Sequence, residues 1–335
     1  MNNAYLIAKS IYNERLPEEP RTLNEKIRWK MRYDRRPLLT LTTDKYRVID
    51  YLKEQGFGDI VKKVYFITGN PNEIPFDDLP DRFIIKSNHS SGDIILIDNG
   101  RDFVTKTELT REGIIAKCNQ FLHHRHWNEI NEWSYQGIKP VIIVEEFLAD
   151  ENGLPPVDYK FLCFSGKAKI IEVVEDRFDN YSDNYYDDKW NILNFTWSDW
   201  PGKKGLPSRK PVKRPSNFAE MVKVAETLAE PFDFVRVDLY SIAGKIYFGE
   251  FTHYPSAGIG EFDPESYDTI LGNYWILPDI NSVRNNSILS RLKDVWSSLY
   301  NRYRLLSIKS LMSFLSSLYH FMITLASSFS AEHIS

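Results

Sequence analysis

Residues 232–258 decide the fold, because they read F-D-F-V-R-V-D-L-Y, then a short turn, then K-I-Y-F-G-E-F-T-H-Y-P-S-A-G. Side chains alternate between the two faces of a strand, so Arg236 and Asp238 share one face, and Glu250 and Thr252 share another. If the two strands pair as a hairpin, one cation and two carboxylates meet beside a loop of small residues. Oxygen ligands of this kind, completed by phosphates and water, suit Mg²⁺. The pattern therefore predicts a metal–nucleotide site, with a surface ion pair as the alternative.

Composition narrows the class of protein. A chain of 335 residues suits one large domain or a few small subdomains, and a net charge of −4 does not favour nucleic-acid binding. The two cysteines, Cys118 and Cys163, are far apart and have no metal-binding spacing. The first ten residues lack the apolar core of a secretory signal. We therefore expect a cytoplasmic protein without a disulfide framework.

Four stretches follow one another along the chain. The sequence predicts a helical, then mixed region over residues 1–80 and two mixed regions over 81–150 and 151–280. A helical, serine-rich tail is predicted over 281–335. The box Thr22–Glu25 predicts a helix start. Strands and helices alternate without regular βαβ spacing, which indicates an α+β fold.

A second signal is Lys86, which ends an apolar strand and is followed by S-N-H-S-S-G-D. Small residues let backbone N–H groups approach phosphate oxygens, and the lysine would neutralise them. A polar turn after a strand-end lysine is the alternative. Lys45 at the start of a predicted helix opposes the helix dipole, which a role with an anionic ligand would explain, and an exposed surface lysine is the alternative. Glu145 and Glu146 end another apolar strand, where they would either face a nucleotide or only solvent.

Taken in order, these pieces resemble the ATP-grasp superfamily, and more closely its TupA-like family, which is found with bacterial teichuronopeptide and capsular polysaccharide synthesis. The resemblance spans about residues 20–265. The matching segments are T-D-K-Y-R-V (43–48), L-P-D-R-F-I-I-K-S-N-H-S-S-G (79–92), V-E-E-F-L (144–148), D-Y-K-F-L-C-F-S-G-K (158–167), V-R-V-D-L-Y (235–240) and G-E-F-T-H-Y-P-S-A-G (249–258).

The resemblance implies a fold of two subdomains, 81–150 and 151–280, that close on ATP. It implies that Asp238 and Glu250 bind Mg²⁺ and that Arg236 and Lys86 act on the transferred phosphoryl group. Thr252 stands where many members have Asn. The nucleotide-binding residues implied by the resemblance are Lys45, Lys86, Ser87, Asn88, His89, Ser90, Ser91, Gly92, Glu145, Glu146, Phe147 and Lys160.

The implied reaction is a carboxylate–amine ligation that uses ATP and passes through an acyl phosphate. The expected partners are a carboxylate and an amine, one of them linked to a glycan, and not nucleic acid. A metal-dependent nucleotide-sugar glycosyltransferase is the second hypothesis, with Y-D-D-K (186–189) as its nearest acidic motif, in a predicted loop. A non-catalytic subunit of a synthesis complex is the third, and the retained lysines and acids argue against it.

Three further segments carry weaker signals. The aromatic and polar residues of 176–200 suit sugar faces, or simply pack on the domain. The basic, proline-rich residues 203–215 suit an anionic glycan or headgroup, or are a solvated charge run. Apolar residues at helical spacing over 306–329, after basic residues, predict an amphipathic helix. Residues 303–330 would then contact the inner membrane surface or pack on the protein itself.

Overall fold

The computed structural model describes residues 10–11, 14–125, 131–175, 182–198, 201 and 210–283. All of these belong to one compact unit, residues 1–284. The predicted tail helix, the basic segment up to residue 209 and parts of the aromatic segment lie outside the described residues. Among the described residues, no helix has the length and apolar character needed to cross a membrane.

Six helices lie wholly within the described part of the chain and pack on or beside the sheets. They are α1 (Leu23–Tyr33), α2 (Pro37–Thr43), α3 (Arg47–Glu54), α4 (Arg111–His123), α5 (Phe218–Ala229) and α6 (Ser266–Asn273). The predicted capping box is present, since the Thr22 hydroxyl accepts from the Glu25 amide and the Glu25 carboxylate accepts from the Thr22 amide. Short 3₁₀ turns occupy Gly58–Ile60, Pro71–Glu73, Phe76–Asp78, Trp133–Tyr135 and Pro255–Gly258.

Two antiparallel sheets form the framework. The smaller contains β1 (Val64–Thr68), β2 (Arg82–Ser87), β3 (Ile94–Asp98), β4 (Arg101–Asp102) and β5 (Ile142–Glu146), in the order β1-β5-β2-β3-β4. The larger contains β6 (Asp158–Phe164), β7 (Lys167–Glu175), β8 (Ser182–Asp187), β9 (Ile192–Leu193), β11 (Phe234–Ile242) and β12 (Lys245–Thr252), in the order β12-β11-β6-β7-β8-β9. Strands β10 (Thr196–Trp197) and β13 (Phe262–Asp263) pair separately. The structure is mixed, with antiparallel sheets, and agrees with the predicted α+β class.

Alternation along the strands explains where each sheet is covered. In the small sheet, Ile85 and Val144 pack with Ile114 and Cys118 of α4. The neighbouring positions of the same two strands, Lys86 and Glu145, therefore point to the opposite face. The edge strand β1 comes from the segment before residue 81, so this sheet extends beyond the stretch 81–150.

The large sheet is covered differently along its length. Helix α5 packs on one face through residues such as Met221 and Ala225. On the other face, Phe234 of β11 is buried against α1 and Trp275. Further along the same strand face, Asp238 and Tyr240 line a cavity. One face of β11 thus passes from hydrophobic core to polar site within a few residues.

Candidate active site

The β11–β12 hairpin brings the predicted charged residues together. Arg236 lies opposite Thr252, and Asp238 lies opposite Glu250. The Arg236 Nε and Nη2 atoms donate to the two carboxylate oxygens of Asp238, each at 2.8 Å. The Nη2 atom also donates to the Thr252 hydroxyl at 3.0 Å and lies 3.9 Å from Glu250. The register predicted from strand alternation is therefore present.

A bulge shapes this hairpin at Gly249. The pairing register shifts between Asp238 and Leu239, which leaves Gly249 as the extra residue between Phe248 and Glu250. A Cβ atom at position 249 would lie 2.9 Å from the Asp238 carbonyl oxygen, so no side chain fits there. The bulge places Gly249 and both acids on the wall of one cavity.

Four of the described lysines line the same cavity, namely Lys45, Lys62 and Lys86 and, over the Phe103 ring, Lys106. The Lys86 Nζ atom lies 2.7 Å from the Glu145 Oε1 atom, and the Lys62 Nζ atom lies 2.9 Å from the same oxygen. The Lys45 Nζ atom donates to the Ser90 carbonyl at 2.8 Å and lies 3.6 Å from Glu250. Lys45 therefore links the Ser90 loop, which follows β2 of the small sheet, to Glu250 of the large sheet. Sequence reasoning missed Lys62, which no motif marked.

Burial and crowding set the protonation of these groups. Burial lowers the pKa of Lys86 to about 8, and the nearby cations Lys62 and Lys45 add to this effect against the attraction of Glu145. Burial alone would raise the pKa of Glu145, but Lys62 and Lys86 outweigh it and hold the value at about 2. Glu145 is thus a carboxylate bound by two lysines on the cavity wall, and its predicted contact with the nucleotide stays a prediction.

The pKa of Asp238 in the hairpin is shifted upward, in the opposite direction to that of Glu145. Burial raises the pKa of Asp238, and the neighbouring Glu250 carboxylate raises it further, while Arg236 opposes both. The charged form of Asp238 is therefore disfavoured in the free protein. A bound cation would stabilise it.

The cavity has a volume of about 590 Å³. One end carries the charged groups, and the other is apolar. Three large apolar side chains at its margin are unusually exposed, namely Ile94 at 43%, Val104 at 44% and Leu154 at 49%. Phe103 and Phe147 pack together nearby, with ring centroids 5.2 Å apart. An apolar slot joined to a cationic floor suits a planar base that carries phosphates.

The predicted phosphate loop divides into two parts. Ser90, Ser91 and Gly92 line the cavity. Ser87, Asn88 and His89 are buried and are not among its lining residues. The predicted contact of these three residues with the nucleotide stays a prediction.

Asn88 fastens the loop to the rest of the protein. Its side-chain amide donates to the Asp44 carboxylate and the Lys139 carbonyl, both at 3.0 Å, and its oxygen accepts from the Val141 amide at 2.8 Å. Its own carbonyl accepts from the Lys45 amide at 3.1 Å. Asn88 therefore connects the start of β5 to the segment that delivers Lys45.

Asp93 organises the other end of the loop. It accepts hydrogen bonds from the hydroxyls of Ser87 and Ser90, and the His124 Nδ1 atom lies 2.9 Å from the same carboxylate. In a nucleophilic triad the imidazole lies between the hydroxyl and the carboxylate. Here the carboxylate lies between them, so this group positions the loop and does not activate a serine.

Lys160 and Glu146 need separate mention. Lys160 lies beside Asp238 in the sheet register, and its Nζ atom is 2.7 Å from Glu172. It is not among the described residues that line the cavity, whereas Glu146 and Phe147 are. The predicted contact of Lys160 with the nucleotide stays a prediction.

The donors fit a divalent cation that shares its ligands with a substrate. Asp238 and Glu250 face each other across the hairpin with the Thr252 hydroxyl close by. The described residues contain no group of three or more His, Cys, Asp or Glu side chains that would hold a metal ion alone. Two carboxylates completed by phosphate oxygens and water are the usual arrangement for Mg²⁺.

One sequence interpretation is wrong. The tyrosine-rich residues 182–187 form strand β8, paired with β7, and are not a loop. Tyrosine favours strands, and Tyr185 and Tyr186 are buried in the two cores of the large sheet. Asp187 of the Y-D-D-K segment accepts from the amides of Lys189 and Asn191, so it caps a turn.

Comparison with known proteins gives the class. The sequence profile of the family described as TupA-like ATPgrasp matches residues 25–276, which is more than half of the chain. The chain therefore belongs to the TupA-like ATP-grasp family. A comparison with curated protein sequences found no significant match.

Solved structures of ATP-grasp ligases are similar to the chain. D-alanine–D-alanine ligase from Bacillus anthracis is 14% identical, with a TM-score of 0.39, over 78% of this chain and 73% of that protein. The Helicobacter pylori enzyme is 14% identical, with a TM-score of 0.37, over 74% of this chain and 60% of that protein. The ligase PsnB, solved with a precursor variant, Mg and ADP, is 9% identical, with a TM-score of 0.37, over 80% of this chain and 66% of that protein. These similarities are distant, and the family assignment does not depend on them.

Proposed function

We propose that the chain is an ATP-dependent carboxylate–amine ligase that works through an acyl phosphate. One observation carries the proposal: Lys45 and Lys86 lie on the same 590 Å³ cavity as Asp238 and Glu250, next to an apolar slot. The slot receives adenine against Phe147, and the cationic floor receives the phosphates. The regions 81–150 and 151–280, with the added strand β1, are the two halves that hold ATP.

In the first step, a substrate carboxylate oxygen attacks the γ-phosphorus of ATP. The bond from that phosphorus to the bridging oxygen breaks, and ADP leaves with an acyl phosphate formed. Lys45, Lys86 and Arg236 hold the phosphate oxygens and oppose the negative charge of the transition state. Asp238 and Glu250 would hold Mg²⁺, which would supply further charge neutralisation for the phosphates. Ser90–Gly92 place backbone amides and small side chains against them.

In the second step, an amine nitrogen attacks the acyl carbon. Inorganic phosphate leaves, and the nitrogen loses a proton as the amide forms. The protein acts by holding both substrates in line and by excluding water, which would hydrolyse the acyl phosphate. His253 takes no part as a base: burial lowers its pKa to about 3, and its Nε2 atom lies 2.8 Å from the Thr42 hydroxyl.

For the substrate, we propose a uronic acid of a bacterial cell-surface polysaccharide or its precursor, joined to an amino acid or amino sugar. The support is the resemblance of the six sequence segments to the family found with such synthesis.

The reaction needs ATP, which favours the cytoplasm. Residues 303–330 would hold the enzyme at the inner membrane surface. Deletion of residues 303–335 should leave ATP turnover intact and abolish sedimentation with anionic liposomes.

The experiment that tests the reaction measures ADP and UDP release. The purified protein is incubated with Mg²⁺ and either ATP or UDP-sugars, together with glucuronic acid and a panel of amino acids. Hydroxylamine in place of the amine converts an acyl phosphate into a hydroxamate, which is detected directly. We expect ADP, phosphate and hydroxamate that depend on the uronic acid. UDP release without ADP would instead identify a glycosyltransferase.

A further inference from the structure

Lys62 has no role in the proposed mechanism, which assigns the phosphates to Lys45, Lys86 and Arg236. It follows the turn Gly58–Ile60 and precedes β1, outside every segment that suggested the family. Its side chain is only 13% exposed, and it lines both the main cavity and a smaller adjoining one of about 20 Å³. The neighbouring Lys63 is exposed and lies over the Tyr65 ring, 4.9 Å from its centroid. Two consecutive lysines thus have different surroundings.

Lys62 and Lys86 share one hydrogen-bonding carboxylate oxygen in the free protein, Glu145 Oε1, at 2.9 and 2.7 Å. Glu250 adds a longer-range attraction to Lys62, and Asp238 is already bound by two Arg236 nitrogens. One carboxylate oxygen therefore holds two buried ammonium groups side by side. Both lie on the wall of the cavity that would receive the triphosphate.

We propose that Lys62 is a third phosphate-binding lysine, which shares Glu145 with Lys86 in the free protein and donates to the nucleotide phosphates when ATP binds. This inference rests on the proposed function. Lys62 Nζ is held against the same carboxylate oxygen as Lys86 Nζ, so a phosphate oxygen that contacts one ammonium lies within reach of the other. An ammonium has three donor hydrogens, so each lysine can keep Glu145 and add a phosphate contact.

The competing explanation is that Lys62 only neutralises Glu145. The two explanations differ when Glu145 loses its charge. If Lys62 is only a counter-ion, its removal has no effect on nucleotide binding once Glu145 is replaced by Gln. If Lys62 contacts phosphate, its removal weakens binding in both backgrounds.

The test is calorimetric titration of Mg²⁺ and a non-hydrolysable ATP analogue into the full-length protein. The variants are Lys62→Met, Glu145→Gln and the double variant, with Lys63→Ala as the matched control. Charged hydrogen bonds of this kind predict that Lys62→Met weakens binding by about 10- to 100-fold. The same factor should separate the double variant from Glu145→Gln. Lys63→Ala should bind like the parent.

The outcomes are distinguishable. Loss of analogue binding by the parent itself would overturn the proposed function. Normal binding by the parent, together with equal affinities for Glu145→Gln and the double variant, would overturn the role of Lys62 alone. Thermal unfolding of each variant is measured in parallel. If Lys62→Met does not fold, the comparison of the double variant with Glu145→Gln decides the question.

Discussion

The described residues include two clusters of buried charge, and they differ in whether their surroundings favour the ionised forms. The first, here called the clamp, consists of Lys30, Asp34, Arg36 and Asp233. Lys30 Nζ lies 3.0 Å from Asp34 and 2.9 Å from Asp233, and Arg36 contacts both acids. Trp275 Nε1 donates to Asp233 at 2.9 Å. Two cations and two anions therefore satisfy one another and join the N-terminal helix to β11.

The second cluster lines the cavity and includes Lys62, Lys86, Glu145 and Asp238. In the clamp, burial alone would raise the pKa of Asp233 and of Asp34, yet Lys30 and Arg36 hold both below the usual range. In the cavity, burial lowers the pKa of Lys86 and raises that of Asp238, whereas Lys62 and Glu145 are stabilised as ions. Both clamp acids are thus stabilised as ions, while the charged forms of Lys86 and Asp238 are disfavoured. The difference indicates that the clamp serves folding and the cavity serves a charged ligand.

The largest expected effect comes from breaking the clamp. Lys30→Met leaves two buried carboxylates with one cation, so the free energy of unfolding should fall by about 3–5 kcal/mol. Urea unfolding followed by circular dichroism measures it. Lys53→Met, which removes an exposed ion pair with Asp50, is the control and should change the value by under about 1 kcal/mol. A loss as small as that of the control would show that the clamp contributes nothing special.

The next effect concerns the metal ligands and affects chemistry rather than folding. Glu250 is 41% exposed at its side chain, so Glu250→Gln should leave stability nearly unchanged. Its charge should matter in the transition state, and ADP production should fall about 100- to 1,000-fold. Glu220→Gln on the exposed surface of α5 is the matched control. Undiminished ADP production by Glu250→Gln would exclude it as a metal ligand.

The third prediction contrasts Lys86 with Lys30 directly. Lys86→Met should not destabilise the free protein as Lys30→Met does, because the folded state already disfavours the charge of Lys86. It should weaken binding of a non-hydrolysable ATP analogue by about 10- to 100-fold. Calorimetry and thermal unfolding on the same samples measure both. If Lys86→Met lowered the unfolding temperature but left binding of the analogue unchanged, Lys86 would serve folding and not ligand binding.

These contrasts also show what the sequence could predict. The hairpin, its register and the capping box at Thr22 depend on neighbouring residues, and the local pattern was enough for them. Lys62 joins the site only because β1 pairs with β5, which lies far along the chain. Asn88 faces inward because Asp44, Lys139 and Val141 converge on it. Contacts of this kind depend on the tertiary fold, and no local pattern marks them.

The prediction of a loop at residues 182–187, which form β8, was wrong for a different reason. Its sequence S-D-N-Y-Y-D mixes strand-forming tyrosines with residues typical of turns, so local propensity was divided. Pairing with β7 along its whole length decided the structure. Asp183 is buried in this strand, and burial together with the charge of Glu172 raises its pKa to about 6. A buried acid within a strand is a feature that alternation rules do not anticipate.

The smallest predicted effect is a pH dependence with opposite signs for binding and for stability. The pKa of Lys86 is lowered to about 8, so its cation is present below that pH and lost above it. Affinity for the ATP analogue should therefore fall as pH rises through 8, by at most about tenfold per unit. Between pH 8 and the ordinary lysine pKa, the unfolded chain binds more protons than the folded one. The contribution of Lys86 to stability should then rise with pH over the same window.

Calorimetric titrations and thermal unfolding at pH 7, 8 and 9 measure the two trends. Lys86→Met should remove both and Lys63→Ala neither; a parent protein whose affinity is flat from pH 7 to 9 would show that Lys86 binds no phosphate as a cation.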